Sequence, residues 1–319
     1  MGKNETIIQG FQKLIAKTLV PLIDDDYVLL DVPNHHNIGD NLIWEGEVTF
    51  LRENIPHKCI YEANVVNWEE KYLANTKIIL FHGGGNWGDL YRECQELRNY
   101  VASKYIDKKI IIFPQTVWYN DKTLLESDCR IFENHKNVVI CVRDQLSYDI
   151  LKTYISEEKI RLLPDMAFFV KVPMLKSSNK KLFMMRSDSE IDRSKVYLVS
   201  DCEIKDWPTY STNKIIEGVH IRMMKFKNKL SKALQMIPIA KCFIDPAYGI
   251  NNRNNRKRYV RQGIRFFEPY ETIYTTRLHG LILGILLGKQ MVIVDNKYNK
   301  CSNFFNTWLT DFENISVYK

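Results

Sequence analysis

Residues 77–89, KIILFHGGGNWGD, place an apolar run directly before a glycine-rich turn and a helical segment. The run Lys77–His82 is apolar on both faces, as a strand of a parallel sheet covered by helices on each side should be. The runs YVLLDV (27–32) and KIIIFP (109–114) repeat this pattern. Alternation of such strands with helices is typical of a doubly wound α/β sheet.

The same pattern predicts two sheets. The first has predicted strands at 27–32, 59–62, 77–82, 109–114, 138–143 and 161–164, with helical segments such as 41–53 and 90–105 between them. A polar stretch, KSSNKK (176–181), precedes a second set at 182–186, 196–199, 241–244, 271–276 and 290–295. A chain of 319 residues has the length of two domains, and we place their boundary within 172–181.

Composition narrows the functional classes. The net charge of +7 favours anionic partners, such as phosphorylated substrates or an acidic membrane face. No zinc-finger, RNP-type or basic-zipper motif points to nucleic acid. Seven scattered cysteines without a C-x-x-C pair predict reduced thiols in a cytoplasmic protein. No signal peptide or membrane span is predicted, and no Asp, Glu or His cluster has metal-binding spacing.

Ligands of open α/β sheets bind beyond the carboxyl ends of the strands, so the turns that follow strands are candidate sites. In NHHNIGDN (34–41), Gly39 permits a tight turn and Asp40 or Asn41 is a candidate helix cap. Amides at such a helix start can receive an anion. A plain capping role for Asp40 is an equally good interpretation.

A second turn is HGGGNWGD (82–89). The glycines Gly83, Gly84 and Gly85 allow main-chain N–H groups to approach a phosphate or sugar closely. The spacing matches neither G-x-G-x-x-G nor a Walker A motif, so a nucleotide cofactor is not indicated. Trp87 is a candidate either for stacking on a sugar ring or for core filling.

Two further turns carry cations. Arg143 ends a strand that is predicted to be buried, where it either pairs with an acid such as Asp144 or awaits an anionic substrate. Arg277 and His279 follow another strand at the start of an apolar helix. Arg277 supplies fixed positive charge, and His279 can exchange a proton near neutral pH.

Taken in order, these turns resemble the polysaccharide pyruvyl transferase family. The matching segments are NIGDN (37–41), FHGGGNWGD (81–89), RDQLS (143–147), LPDMAF (163–168), TRLHG (276–280) and, more loosely, DNKYNKCSNFFNTW (295–308). Each segment is weak alone, but the ordered set is specific and covers nearly the whole chain. Met166 stands where the family often has a proline.

The resemblance implies an α/β fold of two Rossmann-like domains facing across a cleft, as in two-domain glycosyltransferases. Residues 1–174 would form the acceptor side and 175–319 the donor side, with the last helix packing back on the first domain. The implied reaction transfers pyruvate from phosphoenolpyruvate onto two hydroxyls of a sugar, as a cyclic ketal, without a further cofactor. Phosphoenolpyruvate carries a phosphate and a carboxylate, which Arg143 and Arg277 could bind.

His279 is then the candidate general acid or base, or a partner of the phosphate, and Leu278 is expected on the donor side. Lys300 is a candidate phosphate contact, with an ordinary surface lysine as the alternative. The expected acceptor side contains the glycine turns together with Asn37, Gly39, Asp40, His82, Asn86 and Asp89. The implied acceptor is a lipid-linked saccharide at the inner face of a bacterial membrane.

The basic segment 214–232 would suit a peripheral membrane contact, and the alternative is a solvated helix with one face on the core. Two other functions stay open. One is a nucleotide-sugar glycosyltransferase of the same fold, and the other is a non-catalytic saccharide-binding relative.

Overall fold

The computed structural model describes residues 2–173, 179–188, 201–210, 214–250, 253–295 and 298–318. The strands of the first sheet are β1 (Tyr27–Leu30), β2 (Cys59–Ala63), β3 (Ile78–Phe81), β4 (Gly84–Gly88), β5 (Lys109–Trp118), β6 (Val138–Val142) and β7 (Ile160–Leu162). The accompanying helices are α1 (Lys3–Leu19), α2 (Ile38–Asn54), α3 (Glu70–Ala74), α4 (Arg92–Lys104), α5 (Lys122–Asn134) and α6 (Gln145–Leu151).

A second sheet follows in the chain. Its strands are β8 (Lys180–Met184), β9 (Glu203–Lys205), β10 (Tyr270–Thr275), β11 (Gln290–Ile293) and β12 (Ile315–Val317). Its helices are α7 (Lys214–Gln235), α8 (Pro238–Lys241), α9 (Asn255–Phe267), α10 (Leu278–Leu286) and α11 (Lys300–Phe304), and α11 continues into a π-helical turn, Phe305–Leu309.

Both sheets are parallel and have the same topology. The first has the order β2-β1-β3-β5-β6-β7, with β4 continuing the line of β3 along β5, and the second has the order β9-β8-β10-β11-β12. When β3 and β4 are counted as one strand and the strands of each sheet are renumbered in chain order, both sheets have the order 2-1-3-4-5, with a sixth strand at the edge of the first. Doubly wound folds share this order, and their ligands bind where the strand order reverses. The prediction of an α/β protein with two parallel sheets is confirmed.

The predicted strands of the first sheet are all present, but the prediction for 241–244 is wrong. Pro238 starts the short helix α8, and Phe243 beyond it is exposed. A four-residue apolar run cannot by itself distinguish a strand from a turn of helix. The prediction for 196–199 lies outside the described residues. Three strands, β4, β9 and β12, were not predicted, since all are short or glycine-rich.

Helix α2 lies between the two halves of the chain. Ile38 and Leu42 belong to the core around the second sheet, whereas Trp44 and Phe50 belong to a core of the first. This placement carries the amino terminus of α2 to the carboxyl ends of strands from both sheets. None of the helices in the described ranges is long and apolar enough to cross a membrane.

The carboxyl-terminal segment also contacts the first half. The ring of Phe304 stacks on that of Phe168 with centroids 6.3 Å apart, and Trp308 Nε1 donates to the main-chain oxygen of Arg143 at 2.9 Å. Residues 174–178, within the predicted boundary, lie outside the described ranges, so the domain limits 1–174 and 175–319 stay a prediction.

Candidate active site

Three ionisable side chains from distant parts of the chain meet at the carboxyl ends of the strands. Arg143 Nη1 lies 2.7 Å from Asp165 Oδ2 and 3.2 Å from His279 Nε2, and the same carboxylate oxygen is 3.4 Å from His279 Nε2. Asp165 is fully buried and Arg143 is 2% exposed. His279 can therefore accept from Arg143 when neutral or donate to Asp165 when protonated, and it has a partner in both states.

The RDQLS segment places Arg143 in this cluster. Asp144 caps α6 by accepting a hydrogen bond from Ser147 N at 2.9 Å, and Ser147 Oγ accepts one from Val117 N of β5 at 2.9 Å. Arg143 Nε donates to Thr116 Oγ1, also at 2.9 Å. The guanidinium is thus held from two sides, with one nitrogen group left facing the glycine turn.

Gly85 marks the space beside this guanidinium. A β-carbon built on Gly85 would lie 3.3 Å from Arg143 Nη2 and 3.6 Å from Lys300 Nζ. Lys300 begins α11 of the second half. A glycine here therefore leaves room between two cations, one from each half of the chain, and predicted residues Arg143, Gly85, Lys300 and His279 are brought together.

Gly39 lets α2 approach His279. A β-carbon on Gly39 would lie 2.7 Å from His279 Nδ1. The helix begins one residue earlier than Gly39, with Asn37 as its cap: Asn37 Oδ1 accepts from Gly39 N at 3.0 Å. The predicted caps Asp40 and Asn41 are therefore wrong. Asp40 lies in the first turn, and Asn37 Nδ2 donates to its Oδ2 at 2.7 Å.

We expect Gly39→Ala to lower the turnover number by tenfold or more while the chain stays folded. Glycine-to-alanine substitution in a helix ordinarily stabilises by about 0.5–1 kcal/mol, but here the new methyl group displaces the His279 ring. Gly10→Ala in α1, where nothing lies within 4 Å of the added carbon, is the matched control. Steady-state kinetics and urea unfolding of both variants give the comparison, and equal activity would contradict the assignment.

His82 and Gly83 are tied to a buried glutamate of α2. His82 Nδ1 lies 2.7 Å from Glu47 Oε2, and Gly83 N donates to Glu47 Oε1 at 2.7 Å. Burial lowers the pKa of His82, but the hydrogen bond and charge of Glu47 outweigh it and raise that pKa. This pair holds the end of β3 against α2, so the structure places His82 and Gly83 in a supporting position.

The remainder of the glycine turn forms β4 rather than a strand-to-helix turn. Gly84 and Gly88 have φ of 123° and 146°, which favour glycine. A β-carbon on Gly88 would lie 1.7 Å from the main-chain oxygen of Trp118. Trp87 is 1% exposed and packs on Phe132 with ring centroids 4.8 Å apart, so it fills the core and is not a sugar-stacking residue.

Two predicted acceptor residues have internal partners. Asn86 Nδ2 donates to Asp31 Oδ2 at 2.9 Å, and the fully buried Arg98 donates to the same oxygen at 2.8 Å. Asp89 Oδ2 accepts from the main-chain nitrogens of Asn120 and Asp121 at 2.6 and 2.8 Å. Their predicted contact with a sugar stays a prediction, and their observed contacts hold loops in place.

Arg277 lies in a second ionic cluster. Its guanidinium donates to Asp206 Oδ2 at 2.7 Å and to Asp188 Oδ2 at 2.9 Å, and it lies 4.9 Å from the ring centroid of Tyr210. The structure thus pairs Arg277 with two carboxylates and does not bring it into contact with Arg143. Leu278, also predicted on the donor side, packs into the core of the second sheet.

Sequence reasoning missed Asp165, Thr116 and Glu47. Asp165 stands in the LPDMAF segment shortly after β7, so its position after a strand was a usable signal. It also accepts a hydrogen bond from Ala167 N at 2.8 Å, which fixes the carboxylate. Glu47 lies in the middle of α2 without any such signal.

Asp165 should make the free energy of unfolding sensitive to acid. Burial would raise its pKa, but the hydrogen bond with His279 and the charge of Arg143 outweigh this and hold the pKa well below its usual value. A carboxylate whose pKa is lower in the folded than in the unfolded chain stabilises the fold above its unfolded-state pKa, which is about 4. This stabilisation is lost as the pH falls below that value. Asp165→Asn should therefore be less stable than the native chain at pH 7, with the difference shrinking towards pH 3. Urea unfolding across this range measures it, and a constant difference would rule this account out.

Comparisons with known proteins identify the family of this chain. The sequence profile of the polysaccharide pyruvyl transferase family matches residues 37–298. The chain is 32% identical over 316 residues to EpsO of Bacillus subtilis (strain 168), which is named as a pyruvyl transferase, covering 97% of this chain and 93% of that one. It is 27% identical to Pyruvyl transferase 1 of Schizosaccharomyces pombe, covering 88% of this chain and 69% of that protein.

Among solved structures, a functionally uncharacterised protein of Klebsiella pneumoniae superimposes with a TM-score of 0.61 at 19% identity. The match covers 97% of this chain and 98% of that one, and it supports the fold alone. The family match includes the glycine turns, Arg143, Asp165 and His279. The chain belongs to the polysaccharide pyruvyl transferase family and is a transferase.

Proposed function

We propose that this transferase moves pyruvate from phosphoenolpyruvate onto two hydroxyls of one sugar residue, giving a cyclic ketal. The observation that carries the proposal is the meeting of Arg143, Lys300 and His279 around Asp165 and Gly85. Cations from both halves of the chain thereby lie beside a group that can exchange protons. Phosphoenolpyruvate needs both, because it carries two anionic groups and reacts through proton transfers.

The reaction balances with one acid–base group. The methylene carbon of phosphoenolpyruvate gains a proton and the central carbon forms two bonds to sugar oxygens. The bond from the central carbon to the phosphate oxygen breaks. The two sugar hydroxyls release two protons. One balances the proton gained by the methylene carbon, and the other leaves with inorganic phosphate. His279 has a partner in both protonation states, which supports its role in these transfers.

We assign the anionic groups of the donor to Arg143 and Lys300, beside which the first turns of α2 and α10 meet at Gly39 and His279. Arg offers a fork suited to carboxylate or phosphate, and helix amino termini favour negative charge. Arg277 is already paired with Asp188 and Asp206. These contacts support a role for Arg277 in positioning the ends of β9 and β10. Binding of the donor by Arg277 stays a prediction.

The proposed acceptor is a sugar unit of a bacterial surface polysaccharide or its lipid-linked precursor. It would approach from the side of Asn37 and Asp40. Burial raises the pKa of Asp40, but the neighbouring groups of His35, His279, His82 and Arg143 outweigh it and lower that pKa. An ionised Asp40 is a hydrogen-bond acceptor and can orient sugar hydroxyls.

The test is to incubate the protein with lipid-linked saccharide acceptors and one donor at a time. The donor is either phosphoenolpyruvate or a nucleotide sugar from a panel. Phosphate release from phosphoenolpyruvate, with an acceptor heavier by one pyruvyl ketal in mass spectrometry, supports the proposal. Release of a nucleoside diphosphate with addition of a sugar would instead establish the glycosyltransferase alternative. Saccharide binding without turnover of any donor would indicate the non-catalytic alternative.

A further inference from the structure

Helix α7 turns polar side chains towards the protein. Ser231 is buried, and its Oγ donates to Asn67 Oδ1 at 2.5 Å. Gln235 Nε2 donates to the same oxygen at 3.1 Å, and Asn34 Nδ2 donates to Asn228 Oδ1 at 3.4 Å. No α7 side chain belongs to a hydrophobic core cluster of the described residues. The alternative in which this helix packs an apolar face on the core is therefore wrong.

Most of the large apolar side chains of α7 face solvent instead, although Met224 and Leu234 are partly buried. The exposed ones include Ile215 (78%), Val219, Met223, Phe226 (60%) and Leu230. At about 100° per residue these five share an arc of about 80°, which Ile216 borders, while the exposed Ile221 lies on another side of the helix. A surface helix of a globular protein normally directs such a stripe inward, so α7 has the opposite orientation to that of an ordinary solvated helix.

The exposed apolar surface continues beyond the helix. Met236 is 85% exposed, Ile239 is 81% exposed and Phe243 is 72% exposed. We call the outward apolar side chains of residues 215–243 the α7–α8 face. Contiguous exposed apolar patches of this kind mark sites of protein or membrane interaction.

Cations border the α7–α8 face. Arg222, Lys225, Lys229 and Lys232 are exposed, and at about 100° per residue they share the arc of about 80° next to the apolar stripe. Glu217 is the single acidic residue of the α7 sequence, and its Oε1 lies 3.5 Å from His36 Nε2 of the body. The outward surface of the helix is therefore apolar and cationic.

We propose that the α7–α8 face docks on the surface of an anionic lipid bilayer. Such a helix lies in the membrane interface with its apolar face inserted and its cations at the anionic head groups. A second copy of this chain is a poorer occupant, because the cations would meet like charges there. The interaction does not depend on the donor or on ketal chemistry.

The docked surface is adjacent to the proposed acceptor side. The inner side of α7 contacts Asn34 and His36, and the same loop leads directly to Asn37 at the start of α2. The His36 ring lies 5.0 Å from that of Tyr210, beside Arg277. If the proposed function holds, docking would bring a lipid-linked acceptor to this side of the site.

The experiment is cosedimentation of the full chain with vesicles of phosphatidylcholine alone or with one third phosphatidylglycerol. We expect binding to the anionic vesicles that weakens with added salt. Replacing Arg222, Lys225, Lys229 and Lys232 with alanine should weaken binding by more than about a hundredfold, since each cation near such a surface contributes about 1 kcal/mol, or about fivefold. Phe226→Ser combined with Ile239→Ser should weaken it as well.

The matched control replaces four exposed lysines of the first half, Lys13, Lys17, Lys58 and Lys122, which leaves the net charge equal to that of the α7 variant. Circular dichroism confirms that each variant is folded. An equal loss in the control, equal binding to neutral vesicles or no binding at all would overturn the proposal. Loss of a native dimer in sedimentation of the Phe226→Ser, Ile239→Ser variant, with vesicle binding unchanged, would assign the surface to a second copy instead.

Discussion

Replacement of His279 by alanine is expected to lower the turnover number for phosphoenolpyruvate-dependent phosphate release by about 10²–10⁴-fold. The reason is geometric, because His279 Nε2 lies within 3.2 Å of Arg143 Nη1 and 3.4 Å of Asp165 Oδ2, and no other imidazole contacts this pair among the described residues. The free energy of unfolding should fall by about 1–3 kcal/mol, because Asp165 loses its hydrogen bond with His279 but keeps its ion pair with Arg143.

His279→Gln separates proton transfer from hydrogen bonding, because glutamine retains polar contacts but cannot exchange a proton near neutral pH. It should lose nearly as much activity as the alanine variant, because neither side chain can transfer a proton in the reaction. His57→Ala, in the loop before β2, is the control for removal of a histidine. Native turnover in either His279 variant would remove this residue from the mechanism, whichever donor is used.

The sheets were predictable because their signal is local. Runs such as Ile78–Phe81 and Val138–Val142 are apolar on both faces, and the structure buries every one of their residues. Strand β4 could not be predicted in this way, because Gly84–Gly88 has few side chains with which to form a pattern. Its strand conformation depends on backbone pairing with β5, which involves residues distant in the sequence.

The site was predictable only in part, for a related reason. Arg143 and His279 each follow a strand, so the sequence indicates that both lie at a carboxyl end. Their contact joins residues 136 positions apart, and it depends on how the two sheets pack. The partners Asp188 and Asp206 of Arg277 are likewise set by the neighbouring strands β8 and β9. Sequence alone therefore predicts Arg277 as a donor ligand, whereas the structure pairs it with two carboxylates.

Removal of the Arg143 side chain should have a large effect on both stability and activity. Arg143→Met leaves the fully buried Asp165 carboxylate without its 2.7 Å partner, and breaking a buried ion pair from one side costs roughly 3–5 kcal/mol. It also removes one of the two cations beside Gly85, so we expect little or no turnover in the folded fraction. Arg143→Lys keeps the charge but loses the fork, and it should recover stability more than activity.

The double variant Arg143→Met, Asp165→Asn distinguishes these two effects. With both charges removed, no unpaired buried charge remains, and the free energy of unfolding should return towards the native value. Activity should stay lost, because the donor has lost a cation and His279 has lost its carboxylate. Arg92→Met, which breaks the pair with the buried Asp128 between α4 and α5, is the control: it should lose stability and keep turnover per folded molecule. Urea unfolding and phosphate release compare the native chain, Arg143→Met, the double variant and Arg92→Met. Recovery of turnover in the double variant would show that Arg143 serves the fold rather than the donor.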